Sequence, residues 1–158
     1  MQKNEHGFTI VEMLAVIVLS SIFLVLATTT TVKAIQNYDT IKQESILRDE
    51  ADIIMTTIYK NLYVMKESQF CTTIAQGTTV TSFEYSKEAA CTSKKVIGYK
   101  NNQLLINNEA YTLNPDIQMK NFVIKKTGST LYEISFELAM KNKKHTKVFK
   151  NEVRTIKN

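Results

Sequence analysis

Twenty consecutive residues, Phe8 to Ala27, contain one charge, Glu12, and neither glycine nor proline. At about 1.5 Å per residue they make a helix roughly 30 Å long, the thickness of a bilayer's hydrocarbon core. The run reads as a membrane segment, and everything else in the chain has to be arranged outside it. Glu12 is the exception within it, because a carboxylate in hydrocarbon needs a partner or a purpose. A cut after Gly7 would leave Phe8 with a free α-ammonium one helical turn from Glu12. Within one chain the helix dipole favours an acid at that end. Between packed chains Glu12 would neutralise a neighbour's ammonium, and the plain alternative is a carboxylate at the headgroup boundary that pairs with nothing.

Gly7-Phe8-Thr9-Ile10-Val11-Glu12, behind a short polar leader with Lys3 and ahead of the apolar run, resembles the class III signal of type IV prepilins and pseudopilins. The resemblance covers the first twenty to thirty residues and rests on residue types at fixed offsets. It implies that a membrane-embedded prepilin peptidase cuts between Gly7 and Phe8 and methylates the new amine of Phe8, and that Glu12 helps the subunit enter a growing filament. The implied partners are other pilin-like subunits, the peptidase, the inner-membrane assembly platform and, before assembly, membrane lipid. The implied location is a single-pass cell membrane protein with its C-terminus outside the cytoplasm, at the cell surface or in a pseudopilus once assembled. Val25-Leu26-Ala27 offers a competing small-x-small cut that would release everything from Thr28 onward. Against it stand the length of the apolar run and the weak charge of the leader.

Residues 1–7 are thus expected as a leader, 8–27 as the membrane and filament-core helix, and 28–158 as a pilin-like domain. Between Gly7 and Gly77 there is neither glycine nor proline, which predicts one continuous helix to about Glu67. Thr28 to Thr31 is its weak point, since β-branched residues lose rotamer freedom in a helix. Leu47, Ala51, Ile54, Ile58, Leu62 and Met65 recur at steps of three and four, the stripe of a helix lying on a core. Arg48, Asp49, Asp52 and Lys60 fall off the stripe and read as its solvated face. Such a helix is roughly 80 to 90 Å long, so its first half needs lipid or other copies to cover it.

Beyond Gly77 the period changes to two. Strands are expected at Val80 to Tyr85, Lys95 to Lys100, Leu104 to Ile106, Ala110 to Leu113, Phe122 to Lys126, Tyr132 to Met140 and Lys147 to Ile156. Asn101-Asn102 and Asn107-Asn108 are turn pairs that tolerate positive φ. One long helix followed by antiparallel hairpins is an α+β fold, a pilin-like one in light of the N-terminal resemblance. The run from Asp39 and Glu44 to Leu62 is loosely similar to minor pilins and J-type pseudopilins.

Cys71 and Cys91 lie beyond the membrane segment. Outside the cytoplasm they would form one disulfide, worth about 3 kcal/mol for a loop of this length, and otherwise they are separate thiols. No catalytic set, metal site or cofactor motif is visible. After the leader there is one histidine, His145, too few for a triad or a histidine-based metal centre. From Lys120 to Asn158 ten Lys or Arg face three Glu, a net of +7. Lys141, Lys143, Lys144, Lys147 and Lys150 crowd one turn, a candidate for binding DNA or another anionic polymer. Against that stand two plainer roles, protection of an edge strand and ordinary solvation of a turn. Lysine supplies 18 of the 20 basic residues, which with frequent asparagine fits an AT-rich genome. The expected function is a minor pilin or pseudopilin of a competence (DNA-uptake) pilus or a type IV pilus. The alternatives are a type II secretion pseudopilin, or an anchored DNA or polymer binder acting through the basic hairpin.

Overall fold

The computed structural model describes residues 9–88, 91–141 and 145–157. The chain divides into two units, residues 1–42 and 43–158. A 54-residue helix, α1 (Ile10–Tyr63), supplies all the described secondary structure of the first unit and opens the second. The threonine run does not break it. The hydroxyls of Thr28, Thr29, Thr30 and Thr31 donate to the carbonyls of Leu24, Val25, Leu26 and Ala27, at 2.7–3.0 Å. Each polar group is therefore satisfied within its own helix.

In the second unit the predicted stripe is the buried face: Leu47, Ala51, Ile54, Ile58 and Leu62 are all essentially inaccessible. At about 25 cal/mol per Å² each leucine or isoleucine there contributes roughly 1.5–3 kcal/mol, and Ala51 less. The helix ends at Tyr63, four residues before the expected Glu67. Tertiary pairing ends it: Lys66 is extended and bridges Ile156 in parallel, with Ile156 N donating to Met65 O at 2.9 Å. A 3-10 turn, Glu67–Gln69, follows, its start closed by Lys66 N donating to Gln69 Oε1 at 2.9 Å.

Among the described residues eight strands form two antiparallel four-stranded sheets. One has the order β1-β6-β7-β8, from Thr79–Val80, Ile117–Lys126, Leu131–Met140 and Thr146–Arg154. The other has the order β2-β3-β4-β5, from Ser82–Tyr85, Lys95–Lys100, Gln103–Ile106 and Glu109–Ala110. Both sheets contribute to one core with the helix stripe, including Ile97 and Leu104 from the second and Ile124, Tyr132, Ile134, Phe136 and Leu138 from the first. The α+β pilin-like architecture is as expected.

Several strand bounds differ from the expectation. The single strand over Val80 to Tyr85 is split, because the chain changes sheet at Thr81: Val80 pairs with Ile124, whereas Ser82 pairs with Gly98. β6 starts five residues before Phe122. A bulge between Lys120 and Val123, with Asn121 at φ 50°, shifts the buried phase from Ile117 and Met119 to Phe122 and Ile124. That slip hides the period-two pattern. β5 is shorter and earlier than Ala110 to Leu113, and β8 stops at Arg154 because Thr155 N turns to Thr130 O and Ile156 to Met65. The hairpin turns form as expected, with Asn101, Asn102, Asn107 and Asn108 at φ 51°, 62°, 60° and 73°. Two successive left-handed residues are what a two-residue type I′ loop requires.

Candidate functional site

Helix α1 begins on Thr9. Its carbonyl accepts the first helical hydrogen bond, from Met13 N at 3.2 Å. Glu12 Oε2 accepts from Thr9 N at 2.9 Å and from Thr9 Oγ1 at 3.1 Å, while Glu12 N lies 3.3 Å from Thr9 Oγ1 as its donor. This is a capping box, with Thr at the N-cap and Glu three residues on, each side chain meeting the other's backbone N–H. Glu12 thus has a use in the single chain that neither a neighbour's ammonium nor an unpaired headgroup position describes. Thr9-x-x-Glu12 was the available signal. Gly7 and Phe8, on either side of the expected cut, lie outside the described residues.

From Ile10 to Leu26 the apolar side chains are exposed. A contiguous surface of that kind is larger than a monomer presents to water, so it requires lipid or other protein. This N-terminal helix fits a membrane-anchored protein.

In the second unit the structure joins Cys71 to Cys91, with Cα atoms 5.7 Å apart. The basic turn is placed differently from its appearance in sequence. Strand alternation puts Lys147 opposite Leu138 and Lys150 opposite Ser135, on opposite faces of β8. Lys147 Nζ lies 3.5 Å from Glu44, which also meets His145 Nε2 at 3.6 Å; Lys150 Nζ lies 2.7 Å from Glu133. Lys141 Nζ donates to Pro115 O at 2.6 Å. Lys143 and Lys144 lie outside the described residues. Among the described residues no group of three or more His, Cys, Asp or Glu is arranged to hold a metal ion.

A second polar cluster, unforeseen in sequence, centres on Glu67. Its Oε2 pairs with Lys126 Nζ at 2.8 Å; its Oε1 accepts from Tyr132 OH at 2.8 Å and Thr155 Oγ1 at 3.1 Å. One carboxylate thus ties the turn after the helix to β6, β7 and the end of the chain. Burial, reinforced by the Glu67 hydrogen bond and charge, pushes the Tyr132 phenol well above the ordinary tyrosine value. A group whose folded pKa is raised gives stability that is complete below its unfolded pKa, about 10, and is lost as pH rises beyond it. We predict that the melting temperature of the wild type falls more steeply between pH 9 and 11 than that of Tyr132→Phe, and parallel slopes would contradict the assignment.

Residues 2–28 match the prokaryotic N-terminal methylation motif. No curated protein and no solved structure matches the chain. The matched residues hold Gly7, Phe8, the Thr9–Glu12 cap and the exposed apolar run, and the helix they begin continues as the core helix of an α+β domain. A methylation signal on such a helix points to a structural subunit rather than an enzyme, and it implies processing by a prepilin peptidase and association with other pilin subunits. The N-terminal segment of this chain is that of a type IV pilin-like protein.

Proposed function

We propose that the protein is a minor pilin or pseudopilin, cut after Gly7, methylated at Phe8 and packed through its N-terminal helix into a type IV filament. The match of residues 2–28 to the methylation motif carries this reading. Physical chemistry supplies the mechanism. The apolar run is covered by lipid before assembly and by the same segment of other copies afterwards, so subunits exchange one apolar surrounding for another. Glu12 holds the helix start through Thr9, and in the filament its charge pairs with the Phe8 ammonium of a neighbour. A competence pilus is the setting we favour, on the lysine- and asparagine-rich composition expected of an AT-rich genome.

Two substitutions separate the two uses of Glu12. Gln at the third helical position still serves a capping box but carries no charge. Glu12→Gln and Glu12→Ala are both expected to be cleaved normally, and both to be lost from filaments, measured as the sheared-filament fraction against the membrane fraction. Wild-type incorporation of Glu12→Gln would show that capping alone is its task; wild-type incorporation of Glu12→Ala would remove Glu12 from assembly altogether.

A further inference from the structure

Beside the end of α1 the second unit has an open cleft of about 270 Å³ whose lining includes Asn61, Tyr85, Lys87, Lys95 and Asn107. Its polar groups are ordered. Tyr85 OH donates to Asn107 Oδ1, Asn107 Nδ2 donates to Asn61 Oδ1 at 3.1 Å, and Asn61 Nδ2 donates to Thr57 O at 2.8 Å. Each amide oxygen in this chain is occupied from within, and each amide keeps a second N–H. The unused polarity is therefore donor polarity.

The charges point the same way. No acidic side chain lines the cleft among the described residues. Lys94 pairs with Glu84 at 3.1 Å, whereas Lys87 and Lys95 have no ion pair among the described residues. Lys95 stands directly opposite Tyr85 across the β2–β3 pair. The segment leading to Lys87 is fixed by Cys71 N donating to Glu84 O and Ser86 N donating to Gln69 O, both at 2.9 Å. Two unpaired ammonium groups and two spare amide N–H groups on a fixed frame match an oxyanion.

We propose that this cleft binds an oxyanion, a carboxylate or a phosphate, with Lys87 and Lys95 supplying charge and Asn61 and Asn107 supplying amide N–H donors. Its size suits a small anionic group rather than a large ligand. The probes are sodium phosphate and sodium acetate, titrated separately into the full-length ¹⁵N-labelled protein in neutral-detergent micelles, with sodium chloride at matched ionic strength as reference. Saturable shifts at the amides of Tyr85, Lys95 and Asn107 are expected with phosphate or acetate and not with chloride, and the tighter of the two identifies the source chemistry. The double variant Lys87→Gln/Lys95→Gln should bind at least about tenfold more weakly. Asn107→Asp, which keeps a residue tolerant of positive φ in the turn, should weaken binding similarly by repulsion. Equal shifts in chloride would overturn the proposal, as would undiminished affinity in both variants with melting temperatures unchanged. If the double variant fails to fold, the Asn107→Asp result decides.

Discussion

Gly98→Ala lowers the melting temperature of the β domain by roughly 10–20 °C. Gly98 sits at φ 138°, a conformation closed to residues with a side chain, directly opposite Ser82. A Cβ added there would lie 2.3 Å from Ser82 Cα and 2.4 Å from Thr81 O. Both are backbone atoms at the point where the chain passes from one sheet to the other, and Thr81 O accepts from Tyr99 N at 2.7 Å. The clash cannot be relieved by turning a side chain, so strand β2 must move. Strain of this kind costs roughly 3 kcal/mol or more. Gly77 provides the control: it too has positive φ, 83°, but nothing lies within 4 Å of an added Cβ. Gly77→Asn, a residue that tolerates that backbone, should melt within a few degrees of wild type. Equal losses at the two glycines would place the effect in backbone preference and not in the close approach of β2 to β3.

Glu67→Ala is expected to cost about 3–5 kcal/mol, because it strands three partners at once. Lys126 and Glu67 are only 14% and 22% exposed at their side chains, so the charge left on Lys126 is poorly hydrated. The Tyr132 hydroxyl is buried and loses its acceptor, and Thr155 loses one of its two. Glu67→Gln keeps an acceptor oxygen and should lose less than half as much. Chemical denaturation of the two variants measures both numbers. A Glu67→Ala loss under 1 kcal/mol would mean that water replaces the carboxylate freely and that Glu67 does not hold the chain's end in place.

How much of this was legible depends on how local each signal is. The helix stripe from Leu47 to Leu62, the alternation from Tyr132 to Leu138 and the two asparagine turns are fixed by neighbours in sequence, and all were readable there. The transfer between sheets at Thr81 was not, since it depends on Gly98 in another strand. The early start of β6 was hidden by a one-residue slip at Asn121, which reverses the burial phase halfway along. Glu67 was invisible as a hub because its partners, Lys126, Tyr132 and Thr155, are 59, 65 and 88 residues away. The basic turn is the converse case. Lysines that crowd together in sequence are divided between two faces by strand geometry, and the described ones have partners within the fold. The N-terminal motif was the most legible part, because its chemistry is written at fixed offsets; even so, the hydrogen-bonding role of Glu12 needed the Thr9 spacing as well as the charge.

Whether the protein is processed and assembled as a pilin is decided by the mass of its N-terminal peptide, isolated from cells that make its filament. A subunit processed after Gly7 yields a peptide that begins at Phe8 and carries one methyl group on its amine. A peptide beginning at Thr28, or an intact Met1 in assembled material, would contradict that processing.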